Sequence, residues 1–319
     1  MTSLNSYWGR LNMSDLLSFF PNGVDIGTME GRVSSALGGD SSVFKRWYSK
    51  ASVRNSPQRL FCEEDIRKEI YPKELVPYYN HPLLDKANRN NLLVYSLYRY
   101  LIFTINLEIS VVNETTRRLF MSQFPINLEL SELVDAQKIY VDEAYHALFS
   151  TDMLVQVSEL TGVPVPELPI PFFLEWLEKE SVNHQDKELF LLIFTCVSEM
   201  LITDNLISVR EYENVPQSIR EMLNDHVADE AKHHIFYKNI LEKLLASGIN
   251  REYIISTAYS CIRAFNMPDF EQLKTCLVLS GLSESESSTV INDTYSEELI
   301  GRNMESSSRQ IMKVLGKYR

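Results

Sequence analysis

Glycine is scarce in this chain, 11 of 319 residues, about half the usual ~7%. Few glycines mean few tight turns, and the composition favours helix. Long apolar runs are missing too. The longest nearly pure one, Leu189 to Val197, is well short of the roughly 20 residues needed to cross a bilayer. The start, MTSLNSYWGRLNMSD, has no cationic stretch leading into an apolar one, so no secretory signal is read there. The four cysteines, Cys62, Cys196, Cys261 and Cys276, show no CxxC spacing. They read as buried thiols of a reducing cytoplasm, not as a disulfide framework. Basic excess is also lacking: 31 Lys and Arg face 43 Asp and Glu, for a net charge of −12 and a pI near 5.1. Nucleic acid is therefore not an expected partner. What remains is an ordinary globular balance, 45% hydrophobic and 23% charged, in a chain long enough to bury a large core.

Proline is informative for where it is absent. Proline-free stretches run over 83–124, 126–163, 172–215 and 217–267. Proline inside a helix costs about 3 kcal/mol, so the long helices must lie in these four windows. In the first, Leu101, Ile105, Ile109 and Val112 recur at helical spacing. The second helix is expected from Pro125 through Leu154. The third carries ELFLLIFTCVSEMLIT, apolar almost all round, as expected of a central buried helix. The fourth opens after Pro216 and closes at Ser247-Gly248. Between the second and third windows, TGVPVPELPIP holds four prolines and reads as an ordered connector. The expectation is one helical domain over 1–319. Its bundle core is 83–248. The N-terminal extension, 1–82, is irregular and partly helical, with Gly23, Gly27, Gly31, Gly38 and Gly39 in its first half. The C-terminal extension, 249–319, holds two or three short helices, and its SESESS stretch from Ser283 is a polar loop or helix start.

Two pentapeptides carry the chemistry. Asp142-Glu143-Ala144-Tyr145-His146 and Asp229-Glu230-Ala231-Lys232-His233 are both D-E-A-x-H. Glu and His three apart share a helix face, so both can reach one metal ion. One such pair arises easily by chance; two on separate long helices are far more specific. They fit the pattern of carboxylate-bridged di-iron bundles, in which two helices each give Glu-x-x-His and the other two each give a lone Glu.

That pattern requires an inward carboxylate from the first and third windows. Between Glu188 and Asp204 the only charged residue is Glu199. An unpaired buried carboxylate is costly, so Glu199 should be paired or metal-bound. In the first window Glu108 has Thr104, Ile105, Val111 and Val112 one turn away. Its competitor Glu114 lies beside Thr115, Thr116, Arg117 and Arg118, a more solvated setting, so Glu108 is chosen. A buried Glu could instead pair with Arg99.

A ligating His usually donates its other ring N–H to a carboxylate. Asp142 and Asp229 are placed to reach the His of the opposite helix; the plainer reading makes them surface acids. His226 is four residues before Glu230 and seven before His233, on the same helix face, so it also faces the metal. His234 falls on another face, and His81 and His184 have no helical partner.

The set Glu108, Glu143-x-x-His146, Glu199 and His226-x-x-x-Glu230-x-x-His233 resembles the p-aminobenzoate N-oxygenase (AurF-like) family of non-haem di-iron oxygenases. The resemblance covers roughly residues 85–250, and His226 as a seventh ligand distinguishes that family from ferritins and ribonucleotide reductases. It implies an all-α, ferritin-like four-helix bundle with a dinuclear metal site, extended at both ends. The implied enzyme uses O2 to convert an amine to hydroxylamine, nitroso or nitro product in natural-product biosynthesis. Its cofactor would be two Fe ions, with Mn as the alternative suited to oxygen and nitrogen donors. No flavin or nicotinamide fingerprint and no iron–sulfur cysteine set is present, so an external electron donor, a separate reductase, is implied. A homodimer in the cytoplasm is expected, with no nucleic-acid or membrane partner. Tyr100, eight residues before Glu108, resembles a family active-site tyrosine; core packing is the alternative.

The turn before Glu108 departs from what an aminobenzoate needs. It is Phe103, Thr104 and Ile105, with no cation, and Arg99 lies nine residues back. An amino acid or a carrier-tethered amine therefore stands beside an arylamine as substrate. The competing functions are a di-iron oxygenase acting on carbon and a non-catalytic ferritin-like metal-binding bundle.

Overall fold

The computed structural model describes residues 42–210 and 212–318, the stretch 203–210 as backbone only. Gly23, Gly27, Gly31, Gly38 and Gly39 of the N-terminal extension lie outside the described residues. Among those described, every regular element is helical. Two single-turn helices come first, α1 (Trp47–Lys50) and α2 (Ser52–Asn55). The bundle begins with α3 (Lys86–Leu107), which continues through a π-helical turn (Glu108–Val112) into α4 (Asn113–Phe120). Next are α5 (Leu130–Thr161), the short α6 (Phe172–Ser181), α7 (Lys187–Arg210) and α8 (Gln217–Ala246). The α3–α4 rod packs along α5, α7 packs along α8, and the π turn touches both α5 and α7.

The apolar third window is the central helix. From Leu189 to Ile202 the large side chains of α7, among them Phe190, Ile193, Phe194, Val197 and Leu201, are buried, except the half-buried Leu191. The window holds two helices, not one. Asp186 ends the break by accepting from the Leu189 N–H at 2.8 Å. The second rod starts at Leu130, later than Pro125. Glu129 is extended there, and its N–H donates to the Glu132 carboxylate.

The first rod departs from its apolar pattern. Ile109 is 48% exposed and Ile105 half-buried, whereas Leu97, Leu101, Thr104, Leu107, Glu108 and Val111 face inward. The buried stripe thus contains two polar residues, which the search for apolar spacing passed over. At the π turn the Asn113 N–H reaches back to the Glu108 carbonyl. The longer turn rephases the helix, and Thr115 and Thr116 beyond it are again buried. The Lys86–Phe120 rod is long and apolar enough to cross a membrane, yet 61% of its most apolar window is buried inside the protein. Its apolarity serves the bundle core.

Five helices, more than expected, follow the bundle: α9 (Arg251–Asn266), α10 (Phe270–Leu279), α11 (Glu284–Thr294), α12 (Glu297–Ser307) and α13 (Arg309–Gly316). Four begin at a side chain that accepts from the backbone three residues on: Asn250, Asp269, Ser283 and Ser296. Such caps contribute about 1 kcal/mol each. They explain why so short a stretch divides into so many helices. Of the four free cysteines three are buried, but Cys62 is exposed, because it caps a surface 3-10 turn and lies outside the core.

Candidate metal centre

Seven acids and imidazoles converge where the four rods meet. Glu143 and His146 come from α5, Glu199 from α7, and His226, Glu230 and His233 from α8. Glu108 opens the π turn. None is more than 1% exposed. Their donor atoms form three overlapping groups: Glu108, His146, His226 and Glu230; Glu143, His146, Glu230 and His233; and Glu108, Glu143 and Glu199. Within each group the atoms lie within 4.8 Å of one another, close enough to share an ion.

The imidazoles are oriented as donors. His146 turns Nδ1 inward, 2.9 Å from Glu143 Oε2 and 3.4 Å from Glu230 Oε1. His233 likewise turns Nδ1 inward, 2.8 Å from Glu143 Oε1 and 3.1 Å from Glu230 Oε1. His226 points Nε2 into the same space, 3.4 Å from both Glu108 Oε1 and Glu230 Oε1. Behind the cluster the contacts cross over. His146 Nε2 faces Asp229 Oδ2 at 3.6 Å, and His233 Nε2 faces Asp142 Oδ2 at 3.4 Å. Each aspartate therefore lies beside the imidazole of the opposite helix.

Four buried glutamates in one pocket cannot all stay ionised without compensation. Burial, with the charges of Glu143 and Glu230, pushes the Glu108 carboxyl well up; burial and the same two charges do so for Glu199. Glu143 is driven up by burial and by Glu230, but His233 and the hydrogen bond with His146 prevail and bring it to about 2. Against burial, the neighbouring carboxylates raise His146 and His233 well above the ordinary imidazole range. Burial and the charge of His146 push His226 down. All four of these shifts, at Glu108, Glu199, His146 and His233, favour the protonated form when no metal is bound. Several donors still have no hydrogen-bond partner: both oxygens of Glu108, both of Glu199, Glu230 Oε2 and His226 Nε2. Unpaired buried polar atoms each cost about 1–3 kcal/mol, and so many at one point fit the coordination sphere of a cation. The donor set, oxygen and imidazole without thiolate, suits iron or manganese.

Glu114, the rival to Glu108, has partners of its own. Glu114 pairs with Arg117 and Arg118 at 3.1 and 2.6 Å. Burial raises its carboxyl, but these two arginines hold it below the usual range. Arg99 makes no ion pair among the described residues, so it does not neutralise Glu108. Tyr100 lies outside the cluster, in a cavity wall, with its buried hydroxyl unpartnered. His234 is half-buried on α8, outside the three groups. His184 contacts Tyr253, and His81 contacts Asp293.

The sequence reading missed the segment beneath the two aspartates. Trp47 Nε1–H of α1 donates to both oxygens of Asp142 at 2.8 Å. The Ser52 N–H of α2 donates to Asp229 Oδ2 at 3.0 Å, and Lys232 Nζ to its Oδ1 at 2.7 Å. The Phe44 ring stacks on His233 with centroids 6.1 Å apart. Burial favours protonation of Asp229, but the bond with His146, helped by Lys232 and Ser52, holds its carboxyl far below the usual range. No local motif marks Trp47 or Ser52, because their partners lie 95 and 177 residues away.

Two cavities adjoin the helices that carry the cluster, without any of the seven side chains in their walls. One of about 250 Å³ is lined by Arg59, Tyr145, Leu148, Phe149 and Met222. Its floor is the Phe149 ring, 5.3 Å from the His146 ring and 5.6 Å from that of His226. The other, about 310 Å³, is lined by Arg99, Tyr100, Phe103 and Thr104 of α3, with Phe265 and Met267 opposite. Thr104 is one turn before Glu108.

The chain matches, over residues 49–317, the family described as P-aminobenzoate N-oxygenase AurF. No curated protein matches it.

Proposed function

The chain belongs to the p-aminobenzoate N-oxygenase AurF family, an oxygenase family, and from that premise we propose that it is a di-iron enzyme that N-oxygenates an amine. The observation that carries the reading is His226. Its Nε2 is turned into a cluster that already holds four Glu and two His, the full set of the general di-iron pattern. The proposed ligands are Glu108, Glu143, His146, Glu199, His226, Glu230 and His233. Two irons bound there would supply the activation of O2 for oxygen transfer to nitrogen, with electrons from a separate reductase.

The chain's own groups would do the rest. Complete burial of the seven side chains keeps bulk water from the reacting atoms. Asp142 and Asp229 would hold the proton on Nε2 of His233 and His146, leaving each Nδ1 free to bind metal. The cavity beside Thr104 would admit the amine, with Tyr100 in its wall. The cavity above Phe149 is a poorer candidate, because its cation, Arg59, is already paired with Glu221 and Asp225. A cytoplasmic homodimer acting in natural-product biosynthesis, on an arylamine, an amino acid or a carrier-tethered amine, fits this reading.

The test is mass spectrometry of products. Iron-loaded, reduced protein is given O2 and a panel of arylamines and amino acids. Hydroxylamine, nitroso or nitro products are expected, with two irons per chain by elemental analysis. One tightly held zinc, or oxidation at carbon only, would overturn the proposal.

The aspartates provide a second prediction. Asp142→Asn and Asp229→Asn should each lower iron affinity or turnover by about 10–100-fold while the helical fold persists. Iron titration and circular dichroism check this, and unchanged loading and turnover in both variants would leave the two aspartates with a packing role only.

A further inference from the structure

The chain carries a net charge of −12, yet residues 42–62 contain no Asp or Glu. In that stretch Lys45, Arg46, Lys50 and Arg54 are all exposed. None of the four forms an ion pair among the described residues. They lie in and beside α1 and α2, the segment that donates to Asp142 and Asp229. In their midst Tyr48 is 57% exposed. Such cations around an exposed aromatic ring, on a protein of the opposite net sign, make a local field that draws an anionic surface.

From the same segment a bonded route runs to the cluster. The Tyr48 ring meets the Trp47 ring edge-on, with centroids 5.2 Å apart. Trp47 is buried, and its Nε1–H donates to both oxygens of Asp142 at 2.8 Å. Asp142 Oδ2 lies 3.4 Å from Nε2 of His233, whose Nδ1 faces Glu143 and Glu230. Electron tunnelling weakens steeply with distance, and less steeply through covalent and hydrogen bonds than across gaps. Indole, carboxylate and imidazole therefore form one conduit from near the surface to the cluster. The opposite aspartate has no ring behind it: Asp229 is met by the Ser52 N–H and Lys232.

We propose that the 45–54 surface docks a small acidic one-electron carrier protein of the ferredoxin type, and that Trp47, Asp142 and His233 conduct its electrons to the metal. This rests on the di-iron reading and names the class of donor that the reading calls for. The balance needs two electrons: amine, O2, two protons and two electrons give hydroxylamine and water. Each carrier loses one electron and leaves oxidised, and each electron reduces one ferric ion to ferrous. Trp47 is not consumed; its N–H stays on Asp142 and its ring is the path. A tunnelling route passes single electrons, so a nicotinamide, which gives a hydride, does not fit it. Redox encounters bury little surface, so two single-turn helices can serve as the landing.

The probe is plant-type ferredoxin, an acidic iron–sulfur protein. Calorimetry with oxidised ferredoxin reads docking. Anaerobic stopped-flow reads the loss of ferric absorption, per bound iron, when reduced ferredoxin meets oxidised, iron-loaded protein. A reduced viologen, too small to need a docking face, is the second donor. Ferredoxin binding should weaken as salt rises through about 0.15 M, where charges more than about 8 Å apart are screened. Changing Lys45, Arg46, Lys50 and Arg54 together to Gln should weaken it about tenfold or more, as when steering charges are lost, without slowing reduction by viologen. Trp47→Phe should keep the binding. It should slow reduction at saturating ferredoxin about tenfold, the scale for losing a group behind a metal ligand, with the midpoint potential of the iron unchanged. Tyr48→Leu should also slow that step, and it carries the test if the Trp47 variant does not fold. No ferredoxin binding, or binding that the four Gln changes leave intact, overturns the docking face. A Trp47→Phe protein that ferredoxin reduces at the wild-type rate, or that both donors reduce equally slowly, overturns the route. Ferredoxin bound by a protein without reducible iron keeps the docking face and overturns the di-iron reading, and the route with it. Iron that ferredoxin reduces, but that then oxidises only carbon, supports the proposal and overturns N-oxygenation instead.

Discussion

In Glu230→Ala, iron is expected to fall from two ions per chain to at most one, and amine oxidation to vanish. Glu230 belongs to two of the three donor groups. Its Oε1 lies within 3.4 Å of His146, His226 and His233, and its other oxygen is unpartnered. Removing it takes a donor from both groups at once. It also removes an anion from beside His146 and His233, whose imidazoles such charges raise well above the ordinary range when no metal is bound. The metal-free variant should therefore also be less stable, by about 3–5 kcal/mol, as when one partner of a buried pair is lost. Elemental analysis and denaturant melts read the two effects. Glu114→Ala, which removes a carboxylate paired only with arginines, should keep both irons. Two irons retained in Glu230→Ala would show that the ion positions have been misread.

The His226→Ala variant should behave differently. Without this side chain four Glu and two His remain, a complete site by the general pattern, so iron should still bind. The expected losses are in reactivity: at least about tenfold in N-oxidation, the size seen when a group that tunes a metal is removed, and a changed optical spectrum after the reduced protein meets O2. The geometry supports a direct role. His226 Nε2 is aimed at Glu108 and Glu230, and the ring lies 4.2 Å from that of His146. Burial and His146 also keep it neutral, the form that binds metal. A variant with lower stability but wild-type spectrum and turnover would reduce His226 to a packing residue.

The site was legible because its residues obey helical spacing. Glu143 with His146, and His226 with Glu230 and His233, sit at intervals of three, four and seven, so one helix face predicts which side chains meet. Glu199 was legible by contrast, a lone charge in an apolar run. Glu108 was found the same way, although the buried face of its helix was misjudged. The π turn changes the phase at Glu108, and no residue type announces such a turn. The four rods were legible from the absence of proline, and the final helices less so, because single glycines and one proline (Gly248, Pro268 and Gly281) mark only some of the boundaries that capping side chains set. Trp47, Ser52 and Phe44 were not legible at all. They act across the chain, through one indole N–H, one backbone N–H and one ring face, and spacing carries no record of contacts so distant.

The placement of Trp47 and Ser52 joins two processes that the chain keeps far apart. The single-turn helices at 47–55 are too short to be stable alone, and part of what holds them is Asp142 and Asp229. Those same carboxylates face the Nε2 atoms of His146 and His233, whose Nδ1 atoms would bind the proposed metal. By linkage, whatever docking of this segment adds to metal affinity, metal binding must return to docking. On the di-iron reading, loading the ion and docking the 47–55 segment would be two halves of one cooperative step. Held open, that segment would leave a metal-poor protein, even with all seven donor side chains intact.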